Sequence, residues 1–316
     1  MNYTIKIIFS GLAGLFFLVS CKEGSESFLT QDVVSLCPEL IIEQETVTRK
    51  AETFFDNGEE VGILLLTTGG SLYGSSAGYE KYTYNNRRWE CANPTMLQKE
   101  EAKVYAFYPY SSALDYLQYG KQIPIGTTSQ TDYLIGKQKD GTIVNERNPK
   151  VKIIMQHALS QIRFSIKKGS YAGKGKVTAA TFSCTEGNLI GTGFKVDITS
   201  GSIVNAGSSV DRNKHNIGTW GANNIILKPE AYGPTGTEYL LIPGNGKIKI
   251  DLTVDNINYS ILCNIDGSMT SNHIPKTLVA GSIYTINLRI NGSALEIVSD
   301  NMVLHDWING GNISTQ

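Results

Sequence analysis

The chain has 316 residues, with 28 basic and 29 acidic side chains and a net charge of −1. No dense basic block stands out, which argues against a nucleic-acid partner and against a polybasic membrane patch. Thirty-two glycines, 16 tyrosines and frequent Thr, Ile and Val suit an all-β protein with many turns.

The first 20 residues read as a signal peptide. A weakly basic start (Lys6) leads into an apolar run from Ile7 to Val19, too short for a comfortable permanent span. The run ends in Leu18-Val19-Ser20-Cys21, the pattern cut by lipoprotein signal peptidase. The small Ser20 lets the chain thread the peptidase, and the Cys21 thiol takes a diacylglycerol. The expectation is an exported bacterial lipoprotein, anchored to the outer membrane through Cys21. Removing 20 of the 316 residues leaves 296, enough for two ordinary domains.

Polar residues from Lys22 onward are read as a tether spanning 21–37. The first strand is expected from Glu39 to Val47, ending at Thr48-Arg49-Lys50. Asn57-Gly58 marks a turn before Val61-Gly62-Ile63-Leu64-Leu65-Leu66, an apolar run that suits a strand buried on both faces. A Gly/Ser-rich loop follows. Tyr82-Thr83-Tyr84 and Arg88-Trp89-Glu90-Cys91 then flank an Asn85-Asn86 turn, a hairpin pattern. Val104 to Tyr108 is a strand stopped by Pro109. The long stretch with Gly120, Pro124 and Gly126 reads as irregular, and Asp132 to Lys137 as a short strand.

Lys150 to Met155 and Gln161 to Lys167 are the next strands, the second alternating with period two as a half-buried strand does. Further strands are expected at Val177 to Phe182, Gly193 to Ile198, Asn224 to Leu227 and Glu238 to Ile242. Lys247 to Val254 and Ser282 to Ile290 alternate cleanly, and Tyr259 to Cys263 pairs with the former across Asp255-Asn256. The end offers Leu295 to Val298 and Met302 to Leu304. No window holds a 3.6-residue apolar period. About fourteen short strands exceed one small sandwich, so two Greek-key-like β-sandwiches in series are expected, 38–148 and 149–316.

Few residues suggest chemistry. His157, His215, His273 and His305 lie far apart with no metal-ligand spacing, and no nucleophile elbow is present. His157 reads as a hydrogen-bonded core or turn residue. Gly173-Lys174-Gly175-Lys176 lacks the phosphate-loop frame and reads as a solvated turn. Asp132, Asp251 and Asp306 could serve as glycosidase carboxylates in principle, as in any β-protein. No catalytic residue, metal site or cofactor is assigned. Cys37, Cys91, Cys184 and Cys263 allow three pairings into two disulfides, and spacing does not choose among them.

The pieces resemble, in order, the fimbrillin family of lipoprotein pilins, the subunits of type V pili. The resemblance rests on Thr48-Arg49, Phe54 to Leu64, Val104 to Tyr110, Asp132 to Lys137, His157 to Phe164, Tyr239 to Pro243 and Gly281 to Tyr284. Where many members carry Trp in the first turn, this chain has Phe55. The resemblance implies two tandem transthyretin-like β-sandwich domains and assembly by strand exchange with other pilin subunits. It implies cleavage by an Arg-specific protease at Arg49, loss of the first strand, and its replacement by a C-terminal strand of the next subunit. Leu295, Ile297, Val298 and Val303 are the candidate donor residues. The plain alternative for Arg49 is an exposed strand-end arginine. Ligands on host or bacterial surfaces would be bound by an adhesin of this kind. A different reading is a surface glycan-binding lipoprotein, with Tyr73, Tyr79, Tyr82, Tyr84 and Trp89 as its aromatic platform.

Overall fold

The computed structural model describes residues 34–42, 55–74, 79–112, 121–217, 225–230, 238–266, 273–274, 277–298 and 303–306. Among them the chain is all β, in twenty strands and four sheets. In chain order these begin with β1 (Cys37–Ile42), β2 (Glu60–Thr67), β3 (Tyr79–Asn85), β4 (Arg88–Glu90) and β5 (Ala102–Tyr108). β6 (Gln122–Ile125), β7 (Leu134–Gln138), β8 (Lys150–His157), β9 (Ser160–Lys167) and β10 (Val177–Gly187) follow. Next are β11 (Gly191–Asp197), β12 (Ile203–Val210), β13 (His215–Asn216), β14 (Tyr239–Leu241) and β15 (Gly246–Val254). The last are β16 (Ile257–Ile265), β17 (His273–Ile274), β18 (Ser282–Asn291), β19 (Ala294–Ile297) and β20 (Val303–Asp306).

The first sheet has seven strands in the order β1-β8-β7-β5-β2-β3-β4. Its centre is β2, whose unbroken apolar run is buried on both faces as its sequence predicts. Val61, Ile63 and Leu65 face one core, shared with Leu40, Tyr82, Trp89 and Ile153. Leu64 and Leu66 face a second, shared with Phe107, Ile125 and Phe194. The second core lies against a three-stranded sheet, β12-β11-β6. A third core fills the space between the sheets β14-β9-β18-β19 and β13-β10-β15-β16-β17, with Ile162, Phe164, Phe182, Ile250 and Ile286 at its centre.

The Asp255-Asn256 turn falls where the sequence places it, whereas the turn expected at Asn85-Asn86 lies one residue later, with Asn85 still paired in β3. Asn86 and Arg87 have φ of 48° and 67°, and Asp255 and Asn256 have 49° and 66°. Both pairs form two-residue connections in which both central residues are left-handed, the twist that matches paired strands. Gly62 is a glycine for a different reason: a Cβ there would lie 2.0 Å from the Tyr79 hydroxyl, which packs across β2.

Several expectations shift. The first strand is Cys37–Ile42, and residues 43–47 of the expected strand lie outside the described residues. The expected tether is already held from Val34, whose carbonyl accepts the Leu97 N–H (2.9 Å), and Leu36 is buried. Where the sequence reading divides the domains at 148, the first sheet continues through β8 to His157. Leu159 sits in the second core and Ile162 in the third, so the chain crosses between cores at the start of β9, just after the Ala158-Leu159 break that follows β8. The later hairpin β11–β12 returns to pair with β6 of the earlier half.

β9 is covered on both faces rather than half-buried: Gln161 and Ser165 are each 4% exposed. Its polar face is satisfied by Glu238, which accepts from Gln161 Nε2 (2.8 Å) and pairs with Arg163 (2.7 Å). Such pairing is what allows polar groups to be buried at low cost.

Candidate functional site

β1 is the edge strand of the first sheet, and β8 is its one ladder neighbour among the described residues. The pairing is parallel, running from Cys37 opposite Lys150 to Ile42 opposite Met155. Pro38 lies within it, a residue that a sheet interior would not accommodate because it donates no N–H. The strand alternates as an edge over a core does. Glu39 is exposed, Leu40 and Ile42 are buried, and Ile41 is half-buried. Each of Leu36, Leu40 and Ile42 contributes on the order of 2 kcal/mol by burial. The sheet curls, so that Cα atoms of β1 come within 8 Å of β4. β1 thus closes one side of a core walled elsewhere by β2, β5, β7 and β8.

Removing β1 would bare the β8 edge and the apolar groove holding Leu40 and Ile42. An empty ladder edge above exposed core is a strong template for another strand. Beyond the end of β1, a cavity of about 230 Å³ opens between Ile42, Phe55, Tyr108 and Leu134, with Glu59 and Asp132 on its wall. Tyr108 Oη donates to Glu59 Oε1 (2.6 Å). Burial first, and then that carboxylate, hold the Tyr108 phenol well above its ordinary value. Phe55 packs edge-on to Trp89 (4.9 Å between centroids) and to Tyr108 (5.5 Å), the packing role expected of the first-turn aromatic.

The candidate donor residues lie at the opposite end of the chain, on the outer edge of β18. Ile297 is opposite Leu288 and Leu295 opposite Ile290, with Leu295 in the third core. The Val298 N–H donates to Asn287 O (2.8 Å), and Val303 is opposite Thr285. β19 and β20 therefore share one edge of one strand, and form a two-piece edge rather than a hairpin of their own. Cys21 and Arg49 lie outside the described residues.

The remaining sequence candidates are scattered. His157 is buried and its Nδ1 is 2.8 Å from Asp132 Oδ1, the core role expected of it. Asp251 is held by Lys214 (3.0 Å) and Lys249 (3.1 Å), on a different sheet. No group of three or more metal-ligating side chains occurs among the described residues. The five aromatics of the glycan-platform reading, Tyr73, Tyr79, Tyr82, Tyr84 and Trp89, are all buried, at 9% exposure or less. They are core, and that reading loses its platform. Cys91, Cys184 and Cys263 are free thiols, so no two of the four mature cysteines pair with each other. Cys37 carries a disulfide whose partner lies outside the described residues.

The part that sequence reasoning did not reveal is the partner of β1. Parallel pairing to a strand far along the chain leaves no local signal. Pro38 beside a half-exposed alternation was the one available hint of an edge.

No curated protein is similar to this chain. Solved structures are. A candidate cell adhesion protein from Bacteroides ovatus ATCC 8483 superposes with a TM-score of 0.60 at 16% identity, covering 88% of this chain and 99% of that one. Another from Bacteroides uniformis ATCC 8492 gives 0.55 at 16% identity, covering 87% and 99%. A third, from Parabacteroides distasonis ATCC 8503, gives 0.55 at 9%, covering 86% and 96%. At such identities the likeness establishes the fold. The profile of the fimbrillin-like family matches residues 48–307, most of the chain. That family is structural rather than catalytic and works at the cell surface, in pili or adhesion. This chain belongs to the fimbrillin-like family.

Proposed function

We propose that this protein is a subunit of a cell-surface pilus, delivered as a lipoprotein and assembled by donor-strand exchange. Cys21 carries the lipid that brings the precursor to the outer membrane. Cleavage after Arg49 frees the segment that includes β1. The open groove beside β8 then takes a C-terminal strand of the next subunit, in which Leu295, Ile297, Val298 and Val303 are the residues to insert. Backbone hydrogen bonds along β8 supply affinity, and alternate side chains in the pockets of Leu40 and Ile42 set the register. The observation that carries this reading is β1 itself: an edge strand with one ladder partner among the described residues, whose Leu40 and Ile42 fill the first core.

The test is treatment of the purified precursor with an Arg-specific protease. Ladders on unboiled gels, filaments by electron microscopy and a new N-terminus at Lys50 are expected. Arg49→Ala should remain monomeric under the same treatment. Filaments from Arg49→Ala, or a cut protein that stays monomeric, would overturn the assembly reading. Metabolic labelling with a palmitate analogue tests the anchor, with label expected on the natural chain and none on Cys21→Ser.

A further inference from the structure

Three lysines of the β9–β10 connection meet a fourth from a later segment at one end of the third core. The Lys168 N–H donates to Lys228 O (2.8 Å), and the Leu227 N–H donates to Gly175 O (2.9 Å). The Asp255 N–H donates to Lys176 O (2.9 Å), which ties in the turn between β15 and β16. The Lys168 stem lies against Gly175. Lys168, Lys174 and Lys176 of the β9–β10 connection are thereby gathered with Lys228 of a second segment, the last three exposed, and none enters an ion pair among the described residues. Two carboxylates stand with these four cations. Asp255 is occupied with the backbone N–H groups of Gly175 (2.8 Å) and Lys176 (3.0 Å), and Glu230 is exposed at the end of its loop. The sum is two positive charges in a protein that is otherwise near neutral.

Two bare aliphatic side chains share this end. Ile226, bridged to Lys176 through the backbone, is 62% exposed, and Ile257, beside the Asp255 turn, is 49% exposed. Ordinary folding leaves single apolar residues in water, but two aliphatic tips flanked by unpaired ammonium groups form an amphiphilic surface. We propose that this end of the protein docks on an anionic lipid surface, with Ile226 and Ile257 entering the headgroup layer and the lysines engaging its phosphates. A soluble polyanion such as a sulfated polysaccharide would use the lysines alone and gain nothing from the isoleucines. The proposal is independent of how subunits assemble.

The experiment is sedimentation of the exported chain carrying Cys21→Ser, so that no covalent lipid contributes, with vesicles of phosphatidylcholine with or without phosphatidylglycerol. Binding to the anionic vesicles is expected, weakening as salt is added. Lys174→Glu with Lys176→Glu should weaken partitioning about tenfold or more. Ile226→Ser with Ile257→Ser should also weaken it at unchanged charge, whereas Lys99→Glu with Lys139→Glu, on remote loops, should not. Unchanged melting temperatures establish that the variants fold. Should the lysine pair not fold, the isoleucine pair and the salt dependence decide the matter. Absence of binding to anionic vesicles overturns the proposal. So does undiminished binding by the isoleucine variant, which points to a polyanion instead, or equal loss in the remote lysine pair, which points to net charge.

Discussion

Leu40 of β1 and Ile153 of β8 are partners in a parallel ladder, and both are wholly buried, although most of the first half of the chain separates them. The first core is therefore closed by a strand with no hairpin link to its neighbour. Leu40→Ala should cost about 2–5 kcal/mol, the range for a buried leucine that leaves a cavity. Ile41→Ala, on the half-exposed face of the same strand, should cost about 1 kcal/mol or less. Amide hydrogen exchange on peptides from β1 and β8 measures both locally. Equal effects of the two substitutions would contradict the register.

Phe55 is held between Trp89, Tyr84 and Tyr108 and borders the cavity of about 230 Å³ at the end of β1. Phe55→Ala should lose about 3–5 kcal/mol, through lost burial and an enlarged void. Phe55→Trp should change stability by no more than about 1 kcal/mol, because the extra ring has space to enter. Thermal unfolding of the two variants is the check. A tryptophan variant that melts as low as the alanine variant would show that the cavity cannot admit it.

What was legible beforehand was local. The run Val61 to Leu66, the alternation of Lys247 to Val254 and of Ser282 to Ile290, and the Asp255-Asn256 turn each carry their structure in adjacent residues. The sequence reads β6 as irregular because Pro124 speaks against a strand, yet among the described residues β6 pairs only with β11 and Pro124 is exposed there. β12 carries little strand signal because Asn205 to Ser209 are small or polar, and its pairing with β11 is interrupted by a register shift next to Gly193. The groove beside β8 and the lysine end of the third core depend on segments brought together from afar. Nothing in either segment announces its partner.

Cys184 of β10 and Cys263 of β16 both lie opposite Ile248 of β15. Two strand spacings, roughly 10 Å, therefore separate them. A disulfide needs Cα atoms within about 7 Å, so mild oxidants should not join this pair. Burial pushes both thiols up to about 12, and pushes Cys91, half-buried near Glu80, to about 11. With Ellman's reagent at neutral pH the native protein should leave Cys184 and Cys263 unmodified. Cys91 should react at least about tenfold more slowly than free cysteine. All three should titrate at once in denaturant. Fast native reaction of Cys184 or Cys263 would mean that the third core opens.

Asp255 connects the tip of the β15–β16 hairpin to the lysine turn. The N–H groups of Gly175 and Lys176, with Gly175 the larger influence, hold its carboxyl below the ordinary 3.8. A carboxylate whose pKa is depressed by folding stabilises the native state above its unfolded pKa. That contribution is lost as pH falls through the folded value. Asp255→Asn keeps a residue at ease with the positive φ of the turn, but removes the charge that draws both N–H groups. The variant should melt lower than the natural chain at neutral pH, and the gap should narrow steadily as the pH is lowered below the ordinary carboxylate value of 3.8. Melting temperatures measured across that range decide it: a gap that stays constant with pH would show that the ionised carboxylate contributes nothing to holding the loop.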